Sequence, residues 1–205
     1  MLLLAIIYLA FISLGLPDSL VGAGWPAMHE SLGVPLSCAG FITFIIATGT
    51  IISSLMSDRL TTRFGPGRVT AASVALTAAA LFGFSFSTQF WVLCLWAMPY
   101  GLGAGTVDAA LNNYAALHYT ARHMNWLHGC WGLGASISPF IMSQALSSGH
   151  GWPSAYRTVG TLQAILTAIV TVSLPLWNKT QKINGGGSAR LFDHVPTRAA
   201  LATPG

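Results

Sequence analysis

Apolar runs of about twenty residues dominate this chain, the length an α-helix needs to cross the hydrocarbon core of a bilayer. Six such runs can be read: Leu2–Trp25, Leu36–Met56, Val69–Ser87, Phe90–Leu111, Trp126–Leu146 and Ala155–Trp177. Polar or turn-rich stretches separate them at Pro26–Pro35, Ser57–Arg68, Thr88–Gln89, Asn112–Asn125 and Ser147–Ser154. The third break is so short that it predicts a tight helical hairpin. In lipid every backbone N–H and C=O needs an internal partner, so runs of this kind fold as helices rather than open strands. The expectation is an all-α, polytopic membrane helix bundle with six transmembrane helices over residues 1–177, followed by a tail.

The rest of the composition agrees. Charged residues make up 7% of the chain and hydrophobic ones 53%, whereas a soluble domain carries about 25% charged residues. So few charges cannot cover a water-facing surface. The net charge of +4 does not mark a nucleic-acid binder, because the basic residues lie in short breaks between apolar runs rather than in one patch. Cys38, Cys94 and Cys130 each fall in an apolar run without ligand spacing, and read as small packing residues rather than a disulfide or zinc framework. The opening Met1–Leu16 has no positive n-region and is followed by further spans, so it reads as part of the first span rather than a signal peptide.

Basic residues set the expected orientation. Arg59, Arg63 and Arg68 lie in the second break and Arg122 in the fourth, while Lys179, Lys182, Arg190 and Arg198 lie in the tail. The first and third breaks carry none, and Arg157 follows just after the fifth. Basic breaks thus alternate, which places them and both termini in the cytoplasm of a plasma or inner membrane protein. Residues 178–205, with Gly185-Gly186-Gly187, read as a flexible cytoplasmic linker. The sequon Asn178-Lys179-Thr180 would then go unused.

Five acidic residues are present, so each can be weighed. Glu30 and Asp193 fall in a break and in the tail and carry no assigned role. Asp18 and Asp108 fall inside the first and fourth spans, where an ionised Asp costs roughly 2.5–3.5 kcal/mol on insertion scales. Such a group faces a cavity or a partner, or else sits at a helix end; Pro17 makes a cap or kink plausible at Asp18. The two acids occupy the first helix of each half if the spans divide into two three-helix repeats, an arrangement that places a solute site between repeats in several transporter folds. Asn112 lies one helical turn beyond Asp108, Asn113 beside it, and Asn125 and His128 open the fifth span. An acid with amides and an imidazole can hydrogen-bond the hydroxyls of a neutral solute. Desolvation disfavours a carboxylate's charged form, which lets such a group take up and release a proton. The competing reading is interhelical polar glue, at about 0.6 kcal/mol per contact.

Small residues recur at Gly101, Gly103, Gly105, Gly129, Gly132 and Gly134, and Pro99 and Pro139 are candidate kinks. Trp25, Trp91, Trp152 and Trp177 lie near span ends, as an interfacial belt does. Trp96, Trp126 and Trp131 do not; one of them stacking on a sugar ring is the alternative to ordinary packing. No HExxH, GxSxG or paired-carboxylate pattern occurs, and His118, His123 and His128 at five-residue spacing do not share a helix face. An enzyme, a metal site and a cofactor are therefore not expected.

The stretch Ser54-Leu-Met-Ser-Asp58-Arg59-Leu-Thr-Thr-Arg63-Phe-Gly65-Pro-Gly67-Arg68, between spans two and three, resembles the loop signature of the major facilitator superfamily. Ser54 stands where that signature has its first Gly, and the step from Asp58 to Gly65 is longer. The resemblance implies a gating loop of Asp58, Arg59, Arg63 and Arg68 that ties helices together on the cytoplasmic side. Within that family, Pro17-Asp18-Ser19-Leu20 and Val107-Asp108-Ala109-Ala110-Leu111-Asn112 resemble segments of the fucose–proton symporter branch. That likeness implies proton coupling at Asp108 and solute binding at Asp18; Asn112, Asn113 and His128, read from their own chemistry, are the further expected solute contacts. It covers roughly Leu2 to Trp177, half of a twelve-helix transporter. The expected function is secondary active transport of a small polar solute, with a sugar as the implied class, by proton-coupled alternating access. The expected partners are the bilayer and either a C-terminal six-helix half or a second copy. Drug or metabolite efflux by the same fold and a non-transporting truncated membrane protein are the rivals.

Overall fold

The computed structural model describes residues 2–177 as seven α-helices: α1 (Leu2–Asp18), α2 (Leu20–Leu32), α3 (Ala39–Phe64), α4 (Pro66–Phe86), α5 (Phe90–His118), α6 (Ala121–Ser147) and α7 (Gly151–Val172). Among the described residues there is no strand. The tail read as residues 178–205, with its sequon, lies outside them. Five stretches are long and apolar enough to cross a membrane: Leu2–Leu32, Leu36–Phe64, Pro66–Phe86, Phe90–His118 and Gly151–Val172. The remaining helix, α6, has 27 residues and is long enough at about 40 Å. It carries more polar side chains, Asn125, His128, Ser136, Ser138 and Gln144 among them, and is less apolar for that reason.

Several breaks are shorter than the sequence predicts. The first span continues through Pro26 to Leu32, a proline being tolerated inside a membrane helix. It ends at Gly33, whose φ of 64° suits glycine. The Gly33 N–H donates to the Glu30 carbonyl and the Val34 N–H to the His29 carbonyl, the paired bonds of a Schellman stop. Residues 57–64 belong to α3, and only Gly65 parts α3 from α4. Residues 112–118 belong to α5, so Asn112 and Asn113 are helical rather than in a loop, and α6 begins at Ala121. Polar side chains caused both misreadings: they lower the local hydropathy without ending the helix.

Gly65 has φ 84° and ψ 150°, a region open essentially to glycine alone. Gly65→Ala is therefore expected to destabilise the chain by about 1–3 kcal/mol, read as a lowered thermal midpoint of the purified protein in detergent. An unchanged midpoint would show that the junction relaxes freely.

Packing follows a repeat. Helix α1 lies along α6, α3 along α5, and α4 packs between α5 and α7. Exchanging the first triplet (the α1–α2 span, α3 and α4) for the second (α5, α6 and α7) turns the α1–α6 pair into the α5–α3 pair. Glycines let the backbones meet at both pairs: Gly15 and Gly134 where α1 crosses α6, Gly101 and Gly105 where α5 crosses α3. The α4–α7 contact closes the back of the bundle, where Phe84 and Tyr156 stack at 5.3 Å.

The tryptophans do not form the expected belt. Trp25, Trp152 and Trp177 are buried, and each N–H has found an internal acceptor: the Leu36 carbonyl at 2.7 Å, Ser31 Oγ at 2.8 Å and Ser173 Oγ at 3.2 Å. An indole that satisfies its one donor inside the protein contributes its apolar body to the core. Trp91 alone of the four is exposed, at 77%.

Candidate functional site

The α1–α2 span is broken at Ser19, one residue after Asp18. Pro17 has no N–H to donate, so the last turn of α1 cannot close as an ordinary helix does. Ser19 gives no side-chain cap to α2, and among the described residues the Asp18 carboxylate bonds side chains rather than backbone N–H groups, so it caps no helix. The break leaves the Asp18 carboxylate projecting from the side of the span. Tyr100 on α5 donates its O–H to Oδ1 at 3.1 Å, and Trp131 on α6 donates its indole N–H to Oδ2 at 2.8 Å. Each oxygen of the acid is thus held by one aromatic donor from a different helix.

Asp108 lies two turns beyond Tyr100 on the same face of α5. Its Oδ1 accepts from Asn112 Nδ2 at 3.0 Å, the i to i+4 contact expected from the sequence. Asn112 Oδ1 is buried with no hydrogen-bond partner among the described residues. Both Asp18 and Asp108 remain exposed on the same side of the chain.

The two acids share one cavity of about 360 Å³. Its walls come from α1 (Phe11, Leu14, Asp18), α3 (Ile46, Thr50), α5 (Tyr100, Ala104, Asp108) and α6 (His128, Trp131), the first and second helices of each triplet. On every wall the residues are three, four, seven or eight apart, so each helix turns one face inward. His128 stands edge-on to Phe11, with ring centroids 6.0 Å apart. A smaller void of about 160 Å³ lies on the other side of Asp18 and Tyr100 and reaches Phe84 and Tyr156. Asp18 therefore borders both spaces, and Asp108 lines the larger.

This geometry can hold a small solute with several hydroxyls: the two carboxylates keep lone pairs that accept, beside the aromatic faces of Tyr100 and Trp131, whose own donors are given to Asp18. A model of the family described as Major Facilitator Superfamily matches residues 7–202. The chain belongs to the Major Facilitator Superfamily. It is an integral membrane protein of that family of transporters. It is also similar to "Bypass of stop codon protein 6" of Saccharomyces cerevisiae, 26% identical over 144 residues, which are 68% of this chain and 29% of the yeast protein. The aligned region thus spans less than a third of that relative.

Of the site residues read from sequence in this facilitator-superfamily chain, the structure brings Asp18, Asp108 and His128 to one cavity, with Asn112 bonded to Asp108. It does not bring Asn113 there. Asn113 is one position past Asn112, turned by the helical step of about 100° onto an exposed flank. Sequence reasoning missed Tyr100 and Thr50, and named Trp131 only as one of three tryptophans that could stack on a sugar ring. Tyr100 was findable, eight residues before Asp108 on one helical face. Trp131 carried a weaker signal, a tryptophan in mid-span where an interfacial belt gives no reason for one. Only the fold brings Thr50 to the wall.

The family's junction between α3 and α4 departs from expectation. Asp58, Arg59 and Arg63 occupy the last two turns of α3 and Arg68 the first turn of α4, all four exposed. Among the described residues no arginine pairs with Asp58. Because the segment is helical, the neighbours of Asp58 one turn on are Thr61 and Thr62, and Thr62 Oγ1 donates to the Asp58 carbonyl at 2.8 Å. The Arg63 guanidinium lies 5.3 Å from the Phe64 ring centroid. Arg68 edges an apolar groove of about 440 Å³ between α3, α4 and α5, away from both intramembrane acids.

Proposed function

We propose that this chain moves a small polar solute, of the sugar class, across a membrane by proton-coupled alternating access. The observation that carries this reading is the shared cavity: two carboxylates within the spans, with unlike partners, open on one space lined by both repeats. Asp18, fixed at both oxygens by aromatic donors, is set for a directional contact with solute hydroxyls. Asp108 keeps one oxygen without a protein donor among the described residues and serves as the site where a proton is taken up and released. Asn112 and His128 flank it as polar contacts, and Trp131 offers its ring as a stacking face. The basic α3–α4 and α5–α6 junctions lie at one end of the bundle and face the cytoplasm under the positive-inside rule, with Asp58, Arg59, Arg63 and Arg68 as the gating junction. A C-terminal six-helix half or a second copy completes the pathway over the open side of the cavity.

The test is a solute-dependent pH change in proteoliposomes holding the chain, with L-fucose and a panel of neutral monosaccharides as probes. Entry of protons with solute supports symport; the opposite sign supports export by antiport. No flux for any monosaccharide from vesicles that do move another polar solute would overturn the sugar reading. Trp131→Ala is expected to raise the KM for the transported sugar by about tenfold with a smaller effect on maximal rate, since an aromatic face and one hydrogen bond are each worth about 1 kcal/mol. A fall in rate alone, with KM unchanged, would remove Trp131 from the solute site.

A further inference from the structure

The proline break that exposes Asp18 is completed from another helix. In an uninterrupted α-helix the N–H of residue 17 would donate to the carbonyl of residue 13. Pro17 has none, so the Ser13 carbonyl is freed in the middle of a membrane span, where no water replaces the bond. Gln163 on α7 supplies it: its Nε2 donates to the Ser13 carbonyl at 2.8 Å. The same amide accepts through Oε1 from Ser13 Oγ at 2.7 Å. Both residues are buried, with Gln163 at 1% exposure, although neither lines the cavity. Pro26, Pro99 and Pro139 also lie inside helices. Among the described residues the carbonyls they free, those of Gly22, Leu95 and Ala135, receive no side-chain donor. The completed break is thus peculiar to the helix that carries Asp18.

We infer that Gln163 is a positioning residue: its amide takes the place of the missing Pro17 N–H, pins the α1 break to α7, and so aims the Asp18 carboxylate at Tyr100 and Trp131. The two-way amide contact fixes Ser13 in one orientation, and Asp18 follows little more than one turn later on the same helix. The importance of this aim for transport rests on the proposed role of Asp18; the hydrogen-bond substitution itself does not.

The test is a double-mutant cycle on the whole chain purified in detergent, with thermal unfolding as the first readout. Gln163→Leu is expected to lower Tm by about 5 °C. In a Pro17→Ala background, where residue 17 regains its N–H, the same change is expected to lower it by less than about 2 °C. Equal losses in both backgrounds would overturn the inference and leave Gln163 as an ordinary interhelical contact. If Gln163→Leu does not accumulate in membranes, recovery of the protein by added Pro17→Ala is the supporting result, and no recovery the overturning one. The second readout is Trp131 emission, isolated by subtracting the spectrum of Trp131→Phe. Gln163→Leu is expected to shift it in the direction of Asp18→Ala, because the indole loses its acceptor in both. An unmoved emission would show that Gln163 does not position Asp18. If the cycle couples while Asp18→Asn leaves monosaccharide flux intact, the transport role of Asp18 fails and the positioning role of Gln163 stands.

Discussion

Asp108→Asn is expected to abolish proton movement linked to solute while leaving the chain folded. The amide has the shape of the carboxylate and can still meet Asn112, but it cannot take up a proton at any accessible pH. In the structure Asp108 has one side-chain partner, Asn112 Nδ2 at 3.0 Å, and remains exposed at the edge of the cavity it shares with Asp18. Little packing is therefore lost. Solute-dependent alkalinisation should fall by about 100-fold or more, the lower end of what a positioned proton-transfer group contributes, while solute exchange down its own gradient persists. Asp18→Asn is the contrast: it keeps an acceptor for Tyr100 or Trp131 but loses the charged pair of oxygens, so solute affinity falls first. The measurement is monosaccharide-dependent pH change against counterflow in the same vesicles. If Asp108→Asn transports protons as the parent does, proton coupling at this residue is wrong, and a non-transporting role gains ground if counterflow is also absent.

Gly134→Leu and Gly105→Leu are each expected to prevent assembly of the bundle. A Cβ at Gly134 would run into the Ile12 carbonyl of α1, and one at Gly105 into the Thr50 carbonyl of α3. These obstacles are backbone, which cannot rotate aside as a side chain can. Even alanine at either position should cost about 1–3 kcal/mol as an overpacked contact, set against a gain of about 0.5–1 kcal/mol from removing a helical glycine; leucine should cost about 3 kcal/mol or more. Gly129 and Gly132 lie on the same helix as Gly134, yet nothing stands within 4 Å of a Cβ built there. Gly132→Ala should accordingly leave the thermal midpoint unchanged or raise it slightly. If all these substitutions behaved alike, the close approach of α1 to α6 and α3 to α5 would not be what holds the two repeats together.

The sequence alone determined the solvent, the helical class and two of the polar groups that line the shared cavity. Long apolar runs with few charges admit only membrane helices, because hydrocarbon leaves no other partner for the backbone. The same scarcity made Asp18 and Asp108 conspicuous, since an acid within a span is costly enough to need a reason. The spacing of Asp108 and Asn112 on one helical face was also legible, being a local property of 3.6 residues per turn. Helix ends were less so. Polar residues at 57–64 and 112–118 imitate loops in a hydropathy reading, yet the backbone there bonds to itself regardless of what its side chains prefer.

What only the tertiary structure decided is which distant residues meet. Nothing local to Asp18 says that Tyr100 and Trp131 hold its two oxygens, that Gln163 bonds the carbonyl Pro17 frees, or that Gly134 touches α1 while Gly132 touches nothing. Local sequence sets which way a side chain leaves its own helix. The pairing of α1 with α6 and of α3 with α5 sets what it finds there, and that pairing depends on where two backbones can come close enough to touch.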